Sequence, residues 1–179
     1  MKTIASIIAL ALSIAFATAQ TVEVGGEAMY PKKNIVENAL NSADHTTLVA
    51  AVKAADLVET LQGDGPFTVF APVNDAFENL PDGTVETLLK PENKKALQGV
   101  LTYHVIPGNL DFDALKKAIK KGGGKATLKT VNGETLTFMM NGDRNIQIKD
   151  SKGNKADIIV YDVYQSNGVI HVIDAVLLS

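Results

Sequence analysis

The chain has 179 residues, with 17 Lys and Arg against 20 Asp and Glu, a formal charge of −3, and no cysteine. That length suits one domain with a proper core, the absence of cysteine excludes a disulfide framework, and the mildly acidic balance gives no reason to expect a nucleic-acid partner. At the N-terminus, Lys2, the apolar run Ile4–Phe16 and the small residues Ala17-Thr18-Ala19 read as an export signal, with cleavage expected before Gln20. The run is too short for a comfortable transmembrane anchor, since a spanning helix needs about 20 apolar residues. Residues 1–19 are therefore expected to be a signal peptide, and the mature protein to be periplasmic or secreted.

Residues 20–33, with Gly25-Gly26 and Pro31, show no sustained period and read as an extended or mobile leader. From Asn34 the pattern is helical. Asn34 is a plausible cap, with Ile35, Ala39 and Leu40 on one stripe. Thr46 or Thr47 can cap a second helix whose buried face is Leu48, Ala51, Val52 and Ala55. The turn cluster Gly63-Asp64-Gly65-Pro66 precedes a short strand, Phe67–Phe70. Helical pieces then start at Asn74, Thr84 and Pro91, the last carrying Leu97, Val100, Leu101 and His104 on one face that continues to Pro107-Gly108. Asp111 or Asp113 can cap a helix over Ala114–Lys121, which Gly122-Gly123-Gly124 closes.

From Lys125 the period changes to two. Residues 126–130 and 134–140 flank Val131-Asn132-Gly133, a strong hairpin signal. Asn145–Lys149 and Ala156–Tyr161 are two more strands. Ser166-Asn167-Gly168 turns into a last strand that is apolar at both parities apart from His171 and Asp174, so a central position covered on both faces is expected. Helices first and strands second define an α+β domain.

Two segments sharpen this. Thr68-Val69-Phe70-Ala71-Pro72-Val73-Asn74-Asp75-Ala76-Phe77 and Asn167 through Leu178, with Tyr103-His104 between them, resemble in order the signature segments and Tyr-His motif of the fasciclin domain family. The resemblance covers about Asn34 to Leu178 and implies a domain over 34–179. It implies the fasciclin-type fold, in which a helical first half packs on a wedge of two small β-sheets. It also implies an extracellular adhesion module rather than an enzyme. Asn74, Asp75, Tyr103, His104 and His171 fall on its motif positions, as structural locks or contact residues. One departure is Val73, where the family usually has Thr; it shifts the expected helix cap to Asn74 or weakens it.

The residues themselves give little support to catalysis. No Gly-x-Ser-x-Gly elbow and no thiol is present. The three histidines lack metal-ligand spacing, so no metal or other cofactor is expected, and buried, hydrogen-bonded imidazoles are the favoured reading. The acids between Asp143 and Asp150 lack the ligand spacing of a calcium loop and read as hairpin turns. Tyr103, three residues from Val100 and from Ile106, is expected to be mostly buried. Lys116, Lys117, Lys120 and Lys121, with Lys125, form a basic stripe suited to an anionic glycan or surface, or to plain solvation. The expected function is non-catalytic contact with a protein, matrix or cell-surface partner, with self-association as a route to avidity. The alternative is a soluble carrier of a small or apolar ligand, for which Met139-Met140 could line a pocket.

Overall fold

A computed structural model describes residues 21–179. The expected signal peptide and its cleavage position lie outside the described residues. The chain opens with a small hairpin, β1 (Val22–Val24) and β2 (Glu27–Met29). Short helices follow: α1 (Ile35–Ala39), α2 (Thr46–Ala54) and α3 (Val58–Gln62). Strand β3 (Phe67–Pro72) leads into α4 (Asn74–Glu78), α5 (Thr84–Leu88) and α6 (Lys94–Tyr103). After β4 (Val105–Pro107) and α7 (Phe112–Lys121) come β5 (Lys125–Lys129), β6 (Thr135–Asn141), β7 (Asn145–Lys149), β8 (Lys155–Gln165) and β9 (Gly168–Ile173).

Local chemistry sets several of these boundaries. Asn34 and Glu37 form a reciprocal capping box at α1: Asn34 Oδ1 accepts from the Glu37 amide and Glu37 Oε2 accepts from the Asn34 amide. Asp111 caps α7, accepting from the Ala114 N–H at 2.8 Å. At the β5–β6 turn, Gly133 takes φ 93°, a left-handed value that glycine adopts without a Cβ penalty.

The long strands pair in the order β4-β3-β9-β8-β7-β6-β5, with β3 and β9 parallel and the other neighbours antiparallel. β8 is the joint. Its first residues pair with β7, and from Ile158 onward it pairs with β9. Register shifts between Ile158 and Val163, with Asp162 at φ 56°, bend the strand there. One sheet (β4-β3-β9-β8) and a second (β8-β7-β6-β5) thus meet along β8 as a wedge.

Each sheet has its own core. On the first, Ile35, Leu48, Val52 and Leu101 pack against Val69, Ile170 and Val172. On the second, Leu115 and Ile119 of α7 pack against Leu136, Phe138 and Ile148, with Tyr103 among them. Alternate residues of β3 and β9 feed both cores, so β9 is covered on both faces, as its apolar pattern implies.

Three expectations are corrected. Residues 22–29 do not form a loose leader: Val24 and Met29 are buried in the first core. Gly25 makes this packing possible, because a Cβ there would meet Ser42 Oγ at 2.6 Å. The segment after His104 is not helical to Pro107 but turns into β4, whose N–H and C=O groups pair with β3. Leu40 does not join the buried stripe of α1; it is 49% exposed, and Val36 is buried instead.

Candidate functional site

The motif residues are gathered by the sheets, but for use inside the fold. Tyr103 is 0% exposed at the C-terminal end of α6. Its hydroxyl donates to the Thr135 carbonyl and accepts from the Ser151 N–H, both at 3.0 Å. The ring therefore ties α6 to the start of β6 and the β7–β8 turn. His104 is also buried. Its Nδ1 donates to the Val100 carbonyl (2.8 Å), which leaves Nε2 free to accept the Leu177 N–H (3.0 Å). Burial holds this imidazole neutral and lowers its pKa to about 4.

His171, in the middle of β9, donates from Nε2 to the Leu110 carbonyl (2.8 Å) and accepts at Nδ1 from the Asp162 N–H (3.3 Å). Its ring stacks on Phe70, and burial again pushes its pKa down. Asp162 Oδ1 in turn accepts from the Phe112 N–H, so the bulge of β8 and His171 together hold the start of α7. His171 and Asp174 make no contact of the kind a catalytic pair needs; Asp174 accepts instead from the Asp157 N–H.

Asn74 does not cap its own helix. Val73 occupies the cap position of α4 without a side-chain bond. Asn74 Oδ1 accepts from the Thr47 N–H (3.0 Å) and the Thr46 hydroxyl (3.2 Å), and Nδ2 donates to the Ala43 carbonyl (2.8 Å). It therefore caps α2 from across the fold, and neither Thr46 nor Thr47 supplies that cap. Asp75 is the one exposed member of the motif set.

Several other polar residues play the same bridging part, Thr68 and Asn167 at the starts of the signature segments among them, and the sequence reading assigned them none. Buried Asn38 exchanges hydrogen bonds with both backbone groups of Tyr30 and with Gln165, fastening the N-terminal hairpin. Asn167 accepts from the Ile35 N–H and donates to the Leu61 and Gly63 carbonyls, joining α1 and α3 to the β8–β9 turn. Thr68 bridges Gly108 and Leu110. No local signal marks these residues, because every partner is distant in sequence or belongs to the backbone. His45, outside the motif, is buried with Nδ1 on Ser42 Oγ at 2.8 Å; its Nε2 faces the Ala71 backbone without reaching hydrogen-bond geometry.

The remaining candidates lie apart. Lys116, Lys117, Lys120 and Lys121 are exposed on α7, opposite buried Leu115 and Ile119, and Lys125 is exposed at the start of β5. An apolar cleft of about 100 Å³ opens between α1, α2 and α3, lined by residues such as Val36, Val49, Val52 and Leu61. Met139 and Met140 do not line it, which corrects their expected role; Met140 packs against the second core. The cleft's polar lining is Lys53, Gln62 and His104, whose two ring nitrogens are already engaged. Among the described residues, no three His, Asp or Glu side chains gather as a metal site, and no helix is long and apolar enough to cross a membrane.

The two-sheet wedge, the Tyr-His lock and the two signature strands define a recognised class. The family model of the Fasciclin domain matches residues 43–179, and the chain belongs to that family. It is 47% identical to protein sll1483 of Synechocystis, covering 99% of this chain and 98% of that protein. It is 36% identical to human periostin over 75% of this chain, which corresponds to 14% of periostin. It is 32% identical to the immunogenic protein MPB70 of Mycobacterium bovis, covering 78% of this chain and 66% of that protein. In three dimensions it is similar to a domain pair from the insect cell adhesion molecule fasciclin I. The TM-score is 0.72 at 19% identity, covering 83% of this chain and 52% of that one.

Proposed function

We propose that this protein is an exported, non-catalytic interaction module that adheres through its outer surface to a protein, matrix or cell-surface component. One observation carries the reading: Tyr103, His104, His171 and Asn74 all use their polar atoms on the fold's own backbone and side chains. Groups so engaged are not available to turn over a substrate, and a partner meets other residues. The shared fold of an insect cell adhesion molecule supports the same class of function. A single small domain offers one modest surface, so adhesion would draw on many copies.

The test is retention. Beads coated with Gln20–Ser179 are passed over the envelope of the producing cells, with soluble protein as competitor. Saturable retention that the soluble protein displaces is expected. Retention no greater than that of albumin-coated beads would remove the adhesion reading.

The cleft between α1, α2 and α3 favours a second reading, carriage of a small apolar ligand, because enclosed apolar lining with a few polar groups is the usual character of such sites. Native mass spectrometry of protein purified from its own host decides it: a bound apolar mass supports carriage, and a bare chain counts against it.

A further inference from the structure

The charges of this chain are unevenly placed. Residues 112–157 hold ten Lys and Arg against five acids, while the rest of the sequence holds seven against fifteen. Those residues form α7, β5, β6, β7 and the start of β8, which are the second sheet and the helix that covers its inner face. A protein of net charge −3 therefore carries a strongly positive end.

The outer face of that sheet is uncovered among the described residues. Alternation along the strands sends Ala126, Leu136, Phe138, Ile148 and Ala156 inward, and sends Lys125, Thr127, Lys129, Thr137, Lys149 and Lys155 outward. Pairing aligns Thr127, Thr137, Lys149 and Lys155 in a single row across all four strands. Neighbouring strands lie about 4.8 Å apart. Lys149 and Lys155 stand directly opposite each other, an arrangement that destabilises a sheet unless something neutralises it. No acid side chain does so: among the described residues the one ion pair joins Lys94 and Asp56, in another part of the fold. The acid on this face, Asp157, accepts from the Asn141 and Gln147 amides.

We propose that the outer face of β5–β8 binds a linear acidic polysaccharide. Its carboxylates or sulfates would lie over Lys125, Lys129, Lys149 and Lys155, and its hydroxyls against Thr127 and Thr137. The proposal rests on the adhesion reading and supplies its contact surface and partner chemistry. Lys149 and Lys155 form a close pair about 5 Å apart, while Lys125 and Lys129 lie about 13 Å from each other and roughly 12 Å from Lys149, and the longer spacings are comparable to the repeat of an acidic disaccharide. The strands present no aromatic side chain on this face for bases to stack on. The apolar side chains of this face are Met139 on β6 and exposed Ile159 on β8, a narrow footing for a lipid surface. The hydroxyl and amide groups between the cations suit sugar hydroxyls better than an acidic protein's side chains.

The experiment compares Gln20–Ser179 with two variants of equal charge change: a face variant (K125Q, K129Q, K149Q, K155Q) and a helix variant (K116Q, K117Q, K120Q, K121Q). Immobilised heparin and polygalacturonate are the probes, with dextran, poly-glutamate and phosphatidylglycerol vesicles as controls. The expected result is salt-sensitive binding to both acidic polysaccharides, weakened about tenfold or more in the face variant and less than about threefold in the helix variant. The face variant should also melt no lower than the wild type, since the Lys149–Lys155 repulsion is gone. Equal losses in both variants would mean that binding follows net charge and would overturn the assignment, as would equal binding to poly-glutamate or vesicles. Displaceable bead retention that ignores soluble heparin would reject this surface while leaving adhesion itself in place.

Discussion

Asn74 caps a helix to which it does not belong: its Oδ1 lies 3.0 Å from the amide nitrogen of Thr47, in the first turn of α2. The family-motif position after β3 is thus a staple between the first signature strand and the helical layer. Replacing a capping Asn by Ala costs about 0.5–2 kcal/mol. Asn74→Ala should fall in the upper half of that range, because the Ala43 carbonyl loses its donor as well. Asn74→Asp keeps the acceptor and should recover most of the loss. Urea unfolding of the three proteins measures this; an Asn74→Ala protein as stable as wild type would contradict it.

Tyr103 predicts a separation of stability from binding. Tyr103→Phe keeps the buried ring but strands the Ser151 N–H and the Thr135 carbonyl, at about 1–3 kcal/mol. Retention of coated beads, measured where the variant is fully folded, should equal that of wild type. A Tyr103→Phe protein with unchanged melting temperature and lost retention would make the residue a contact.

Burial of His104 predicts a pH dependence with a definite sign. Its pKa is lowered from 6.5 to about 4 by loss of solvation. The unfolded chain therefore takes up a proton on this group before the folded chain does. Its contribution is fully present above pH 6.5, is lost progressively as pH falls to about 4, and is constant below that. The loss is of order 3 kcal/mol. His45 and His171, also lowered by burial, act in the same direction. Urea midpoints between pH 7 and 4.5 should fall more steeply for wild type than for His104→Asn, because carboxylates titrate in both. Parallel curves would contradict the assignment.

The N-terminal hairpin predicts that residues before Asn34 belong to the folded unit. Met29→Ala removes a buried side chain and should cost about 2–5 kcal/mol. A chain beginning at Asn34 would expose the surface of Val163 and Val172 that Val24 and Met29 help cover. It should melt earlier and bind a hydrophobic dye. Equal melting of the shortened and full-length proteins would return the segment to the status of a leader.

Most of the architecture was legible because its signals are local and periodic. The i, i+3, i+4, i+7 face of α2, the Asn-Gly turn between β5 and β6 and the doubly apolar β9 each state their environment within a dozen residues. What was not legible depends on partners far along the chain. The N-terminal hairpin gains its order from Asn38 and Gln165. β4 is a three-residue strand with no period of its own, placed by pairing with β3. Asn74 looked like a local cap because position predicts a cap, not which helix receives it. The basic stripe on α7 was visible as a run, whereas Lys129, Lys149 and Lys155 become one face only through strand register.

Strand β8 is held on one edge by β7 over Lys155–Asp157 and on the other by β9 from Ile158 onward. Neither sheet owns it, so neither can fray past it without removing a border strand from its neighbour. Both cores are therefore expected to melt in one step, and a load drawn across the wedge to pass through a single continuous backbone segment rather than through a hinge between two lobes.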